Sequence, residues 1–148
     1  MPYFTFHDKT FQFTEFNGRL VFNDFDISAM GLTSLAGLPV QSFVVRGKFN
    51  CSDNKLTSLV GLPDNFSVGG DFFCYNNYLT SLAGLPPGMK VGGVFSCFNN
   101  RITDLRGLPR DIQIGGTFYC YHNEKLTLQS LKELPDHIFL GRKIRTFS

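Results

Sequence analysis

Cys51, Cys74, Cys97 and Cys120 recur every 23 residues inside a repeated phrase, and that phrase constrains nearly the whole chain. In full the phrase reads as an apolar residue, Thr, a polar or small residue and Leu, then Gly-Leu-Pro, a variable stretch, a hydrophobic residue with Gly-Gly, Phe-x-Cys and finally Asn. A unit this short cannot bury its own hydrophobic face and must stack on its neighbours, so it is one coil of a solenoid. Function must then be sought on the surface of the stack.

The first half of the phrase appears as Leu32-Thr33-Ser34-Leu35-Ala36-Gly37-Leu38-Pro39 and returns with Pro63, Pro86 and Pro109 at steps of 24, 23 and 23 residues, before a stretched step of 26 to Pro135. In the second half, Val68 to Tyr75 alternates so that Phe72 and Cys74 face inward while Asp71, Phe73 and Tyr75 face outward. The equivalents of the inward pair are Phe49 with Cys51, Phe95 with Cys97 and Phe118 with Cys120. A β-rich solenoid of stacked short parallel strands is expected, with a Phe row beside a row of buried, reduced Cys. The pairs Gly69-Gly70, Gly92-Gly93 and Gly115-Gly116 mark a bend that needs either positive φ or close backbone passage. Asn54, Asn77, Asn100 and Asn123 form an inward row whose amides satisfy backbone groups where each coil turns.

The 148 residues, with 17 Phe and 43% apolar content, suit a single domain with a continuous core. Its parts are an N-terminal cap over 1–20, regular coils over 21–124 and a C-terminal cap over 125–148. Phe4, Phe6, Phe11 and Phe13 lie in two alternating runs about His7-Asp8-Lys9-Thr10, the pattern of a capping β-hairpin. In the first coil Val21, Phe25 and Ile27 stand for Val68, Phe72 and Cys74, and Met30 replaces the ladder Asn. At the other end Ile144 and Thr146 replace the Phe and Cys, and Arg142, Lys143 and Arg145 place charge on the edge.

On these residues the chain resembles leucine-rich repeat proteins. Phe72, Cys74, Asn77 and Leu79 fall on the key positions of the LxxLxLxxNxL signature, with Gly69 in place of its first Leu, and the match recurs at Phe49 to Leu56, Phe95 to Ile102 and Phe118 to Leu126. The combination LTSLxGLP with VGGxFxC is similar to small leucine-rich repeat proteins of bacteria and bacteriophages. That resemblance implies a recognition scaffold with no fixed reaction. It also implies a bacterial host or defence protein as the kind of target a phage version would meet.

The chemical motifs point away from catalysis. Side chains 23 residues apart form a line and cannot surround one zinc ion, and CxxC and HExxH are absent. No GxxxxGK[ST] accompanies the glycines, so neither metal nor cofactor is expected. Cys120 and His122 are two apart, but His122 falls at the strand end beside Asn123, the place of a loop residue. Asp71, Asp104, Asp111, Glu133 and Asp136 make no recurring acidic pair. A net charge of +2 selects no acidic partner. Without a membrane-length apolar run or a basic-then-apolar start, a cytoplasmic location is expected.

The outward positions vary while the inward ones do not. One row holds Lys48, Asp71, Val94, Thr117 and Lys143, the next Asn50, Phe73, Ser96, Tyr119 and Arg145, and the third Ser52, Tyr75, Phe98, Tyr121 and Phe147. Aromatic anchors among polar residues are common in protein interfaces. Non-enzymatic recognition or inhibition of a protein is therefore expected through Asp71, Phe73, Tyr75, Ser96, Phe98, Tyr119, Tyr121 and Arg145. Two alternatives are an enzyme or enzyme accessory using the face as a substrate groove, and a single-stranded nucleic-acid binder. The second lacks repeated Lys or Arg between the rings.

Overall fold

The computed structural model describes residues 2–138. The chain forms β1 (Tyr3–Phe6), β2 (Lys9–Gln12), β3 (Thr14–Phe16), β4 (Arg19–Phe22), β5 (Phe25–Asp26), β6 (Phe43–Val45), β7 (Phe49–Asn50) and β8 (Ser67–Val68). It continues through β9 (Phe72–Phe73), β10 (Lys90–Val91), β11 (Phe95–Ser96), β12 (Gln113–Ile114), β13 (Phe118–Tyr119) and the short helix α1 (Leu128–Leu131). Each coil thus contributes two very short strands, one on either side of the glycine bend.

The expected Phe-x-Cys strands form a parallel sheet in the order β13-β11-β9-β7-β5. A second sheet, β12-β10-β8-β6-β4-β3, was not anticipated and is built from the residues just before the bend. Its register runs Phe22, Val45, Val68, Val91, Ile114. Phe22, and not Val21, is therefore the partner of the Val68 row. Two residues, Asn23 and Asp24, separate Phe22 from Phe25 where the later coils have three, so the first coil turns the corner one residue short. The remaining correspondences hold, since Phe25 pairs with Phe49 and the Ile27 amide donates to the Asn50 carbonyl.

Close passage decides the glycine bend. None of Gly69, Gly92 or Gly115 has a positive φ. A Cβ on Gly92 would instead lie 2.1 Å from the Gly69 carbonyl oxygen, and one on Gly115 2.3 Å from that of Gly92. The same approach lets the Gly92 amide donate to Val68 O at 2.9 Å and the Gly93 amide to Gly70 O at 2.9 Å, so backbone hydrogen bonding between coils continues around the corner.

Inside the coil the Phe rings form a row: Phe25, Phe49, Phe72 and Phe95 stack at centroid separations of 5.7, 5.4 and 4.9 Å, and Phe118 meets Phe95 edge-on. The Leu residues of the turn segment, such as Leu79, Leu82 and Leu85, close the core from the opposite side. Their turn is shaped locally, because the Ser81 hydroxyl accepts from the Ala83 amide and Asp104 does the same for Arg106.

The Asn row is inward and fully engaged. The Asn77 carbonyl accepts from the Leu56 amide at 3.0 Å while its Nδ2 donates to Cys51 O, Cys74 O and Tyr75 O at 3.0 to 3.2 Å. Asn100 and Asn123 repeat this pattern one and two coils on. Each side chain staples its own coil to the one before. Asn54 serves the end coil by accepting from the Met30 and Leu32 amides, so Met30, where the ladder lacks an Asn, joins it by donating its backbone N–H.

The N-terminal cap is the β1–β2 hairpin, tighter than its four-residue separator suggested, since Phe6 pairs with Lys9 across His7-Asp8. Phe11 stacks on Phe25 at 4.1 Å, and Phe4 and Phe13 pack edge-on against Phe22. A second hairpin closes at Asn17-Gly18, whose φ values of 50° and 75° give a primed turn, and its strands β3 and β4 form one edge of the larger sheet. Toward the C-terminus Thr127 caps α1 by accepting from the Ser130 amide, and Leu131 and Ile138 are buried. The expectations for Arg142, Lys143, Ile144, Arg145, Thr146 and Phe147 lie outside the described residues.

Two substitutions check this packing. Phe95→Ala removes a fully buried ring from the row and is expected to cost about 3–5 kcal/mol by chemical denaturation. A loss below about 0.5 kcal/mol, the range of ordinary surface changes, would place the ring outside the core. Asn77→Ala strands an amide and carbonyls from two coils and is expected to cost at least about 3 kcal/mol. Asn76→Gly, which keeps the left-handed backbone of its more exposed neighbour, should cost about 1 kcal/mol or less.

Candidate functional site

Alternation along β7, β9, β11 and β13 turns one side of each strand into the core and the other outward. Sheet register sets Asn50, Phe73, Ser96 and Tyr119 side by side. Two residues further along, Tyr75 stacks on Phe98 at 4.6 Å and 8°, and Phe98 on Tyr121 at 4.9 Å and 5°. Phe73 meets Tyr75 edge-on at 5.4 Å, and Tyr119 meets Tyr121 edge-on at 5.9 Å. Five of the expected site residues thus form one continuous aromatic patch, each ring half-buried by the others. In the first two coils the equivalent positions are polar: Asp26 accepts from both the amide and hydroxyl of Ser28, and Asn50 from those of Ser52, the second pair being buried.

Asp71 and Ser96 occupy the expected rows, yet neither is a freely presented polar group. Asp71 Oδ1 accepts from the Val94 amide at 2.7 Å, as Asp24 does for Lys48, so the carboxylate helps hold one coil to the next. Ser96 is only 3% exposed, and its hydroxyl, with no hydrogen-bond partner among the described residues, lies in the floor of the aromatic patch. Lys48 reaches over the Phe73 ring at 6.0 Å, adding a cation at the polar margin. Arg145, the remaining member of the expected set, lies outside the described residues.

Beside this patch the chain turns at Asp53, Asn76, Asn99 and His122, all at φ between 54° and 55°. Asn and Asp tolerate this left-handed conformation best, which explains their recurrence. Their side chains make an outer ladder: Asn99 Nδ2 donates to Asn76 Oδ1 at 2.8 Å and Asn76 Nδ2 to Asp53 Oδ1 at 2.7 Å. His122 is exposed, its ring edge-on to Tyr121 at 5.2 Å. The residues beyond the turn complete a groove of about 790 Å³, lined in part by Asn76, Asn99, Tyr78, Arg101, Thr80 and Thr103. Arg101 lies 4.2 Å from the centre of the Tyr78 ring. This pair was missing from the sequence reading, although the two residues are 23 apart and each follows a ladder Asn.

The four Cys are free and buried. Burial pushes the Cys51 and Cys120 thiols up to about 12, and Cys74 and Cys97, which also face neighbouring Cys, well above their ordinary value. A protonated thiol is a poor nucleophile and a poor metal ligand. Among the described residues no group of three His, Cys, Asp or Glu could hold a metal ion, and no helix is long and apolar enough to cross a membrane.

The fold defines a β-solenoid repeat protein, with stacked and mostly parallel strands on two sides of each coil. No family model, curated protein or solved structure matches the chain.

The thiol row carries a pH signature. Below about pH 8 the thiols are protonated in both folded and unfolded chains and contribute no pH dependence; above it the unfolded thiols ionise while the folded ones keep their protons. Stability should therefore fall as pH rises from about 8.5 toward 12, by at most about 1.4 kcal/mol per pH unit for each thiol. Denaturation of the wild type and Cys74→Ala between pH 8 and 10 checks this, and the variant should show the shallower decline. Equal slopes, or rapid labelling of the native thiols, would contradict the buried row.

Proposed function

We propose that this chain is a non-enzymatic recognition module of the leucine-rich repeat type, binding a protein partner through the patch of Phe73, Tyr75, Phe98, Tyr119 and Tyr121. The observation that carries the reading is the break in composition along one face. The first two coils carry Asp26 with Ser28 and a buried Asn50 with Ser52, each pair tied together, whereas the next three present contiguous half-buried rings. Cross-strand contacts alone stabilise a sheet with many residue pairs. Rings gathered over three coils, with a buried Ser96 hydroxyl beneath them that has no partner among the described residues, supply what interface hot spots use: rigid aromatic area around a desolvated polar point.

The leucine-rich repeat assignment is supported by the inward Leu residues of the turn segment and by the engaged Asn row. The resemblance to bacterial and phage proteins makes a bacterial host or defence protein the target class to try first, with inhibition as the outcome. Its site of action would be the host cytoplasm.

The test compares partner capture by the wild type with capture by the triple variant Phe73→Ala, Tyr75→Ala, Phe98→Ala. Loss of at least tenfold in recovery is expected, with fold retained by circular dichroism, while Val60→Ser on an exposed turn position should bind as the wild type does. Equal recovery by the folded triple variant would exclude this face.

A further inference from the structure

The groove next to the aromatic patch holds an exposed guanidinium. The Arg101 side chain lies over the Tyr78 ring, and among the described residues it makes neither a hydrogen bond nor an ion pair. Contact with the ring restrains the side chain and leaves its N–H donors available, an arrangement that suits bidentate capture of an oxyanion. Lys125 also lines the groove, and Thr80 and Thr103, both exposed, present hydroxyls alongside. Glu124 lies in the same lining and opposes a second negative charge at the C-terminal end.

We propose that this groove is a carboxylate-binding site which takes an acidic side chain from an extended segment of the partner protein. The inference rests on the protein-recognition reading above and names the chemistry of that partner's contact. Two cations and one carboxylate suit a single carboxylate better than the repeated phosphates of a nucleic acid, whose affinity grows with the number of phosphates neutralised. The groove is continuous with the patch, since Asn76 and Asn99 directly follow Tyr75 and Phe98 and line it. A segment with an acidic residue beside an apolar one would meet both surfaces at once.

The experiment follows the Arg101 Nε–H resonance of the full chain during titration with tetraglutamate, tetraglutamine and inorganic phosphate. Tetraglutamate is expected to shift this resonance saturably, more weakly as salt is raised, with tetraglutamine inert and phosphate at least tenfold weaker. Arg101→Gln should reduce the affinity at least tenfold, read then from the Lys125 and Thr103 amides, and Arg101→Lys should restore only part of it. Glu124→Gln should tighten binding severalfold. A response to tetraglutamine equal to that of tetraglutamate, tighter binding of phosphate, or no saturable shift would overturn the proposal, as would unchanged affinity in Arg101→Gln. Val60→Ser, on an exposed turn, should leave tetraglutamate binding unchanged, and because tetraglutamate binding is read without the partner and partner capture without tetraglutamate, failure of the groove and failure of the aromatic patch are read separately.

Discussion

The hydrogen bonds from one coil to the next depend on how closely their backbones pass at the Gly-Gly corner. There the Gly92 amide reaches Val68 O, and an added Cβ would collide with Gly69 O. A larger residue would push the coils apart on both sides of the bend, lengthening bonds in two sheets together. The Phe row and the Asn staples require that same separation, because a ring must touch its copy above and below and an amide must reach carbonyls on two coils. Hydrophobic burial drives the stacking, but the glycines fix the distance at which it occurs.

Inward positions were legible in the sequence because every coil gives them the same neighbours. Phe72 lies between Phe49 and Phe95, and Asn77 meets equivalent carbonyls on two coils, so selection by packing yields the same residue each time. The second sheet was not legible: β8, β10 and β12 are two residues long, and a pair such as Lys90-Val91 has no room to display a period of two. The shift from Val21 to Phe22 was hidden for a related reason. An apolar run of Leu20, Val21 and Phe22 does not say where the corner begins, and the shorter turn through Asn23 and Asp24 settles it.

The outward face was legible in position but not in detail. Alternation put Phe73, Tyr75, Phe98, Tyr119 and Tyr121 on it, whereas the duties of Asp71 and Ser96 depended on atoms a coil away. A carboxylate bonded to the Val94 amide and a hydroxyl buried among rings are facts of the stack, invisible within either strand alone. The Tyr78–Arg101 contact belongs to the same class, since a spacing of one repeat puts two residues in one row without saying that one will cover the other.

The outer amide ladder has a direction. Asn99 donates to Asn76 and Asn76 donates to Asp53, so successive side-chain dipoles point the same way along the solenoid axis, and a carboxylate receives the donor end. Aligned amides of this kind leave a partial positive charge at the end toward which their N–H groups point, where an anion is favoured, as at the N-terminus of a helix. Asp53 is that anion. The stack thus has an electrical head and tail laid down by side chains outside the core, and a coil inserted between Asp53 and Asn99 would preserve this polarity only if it brought an amide at the same position.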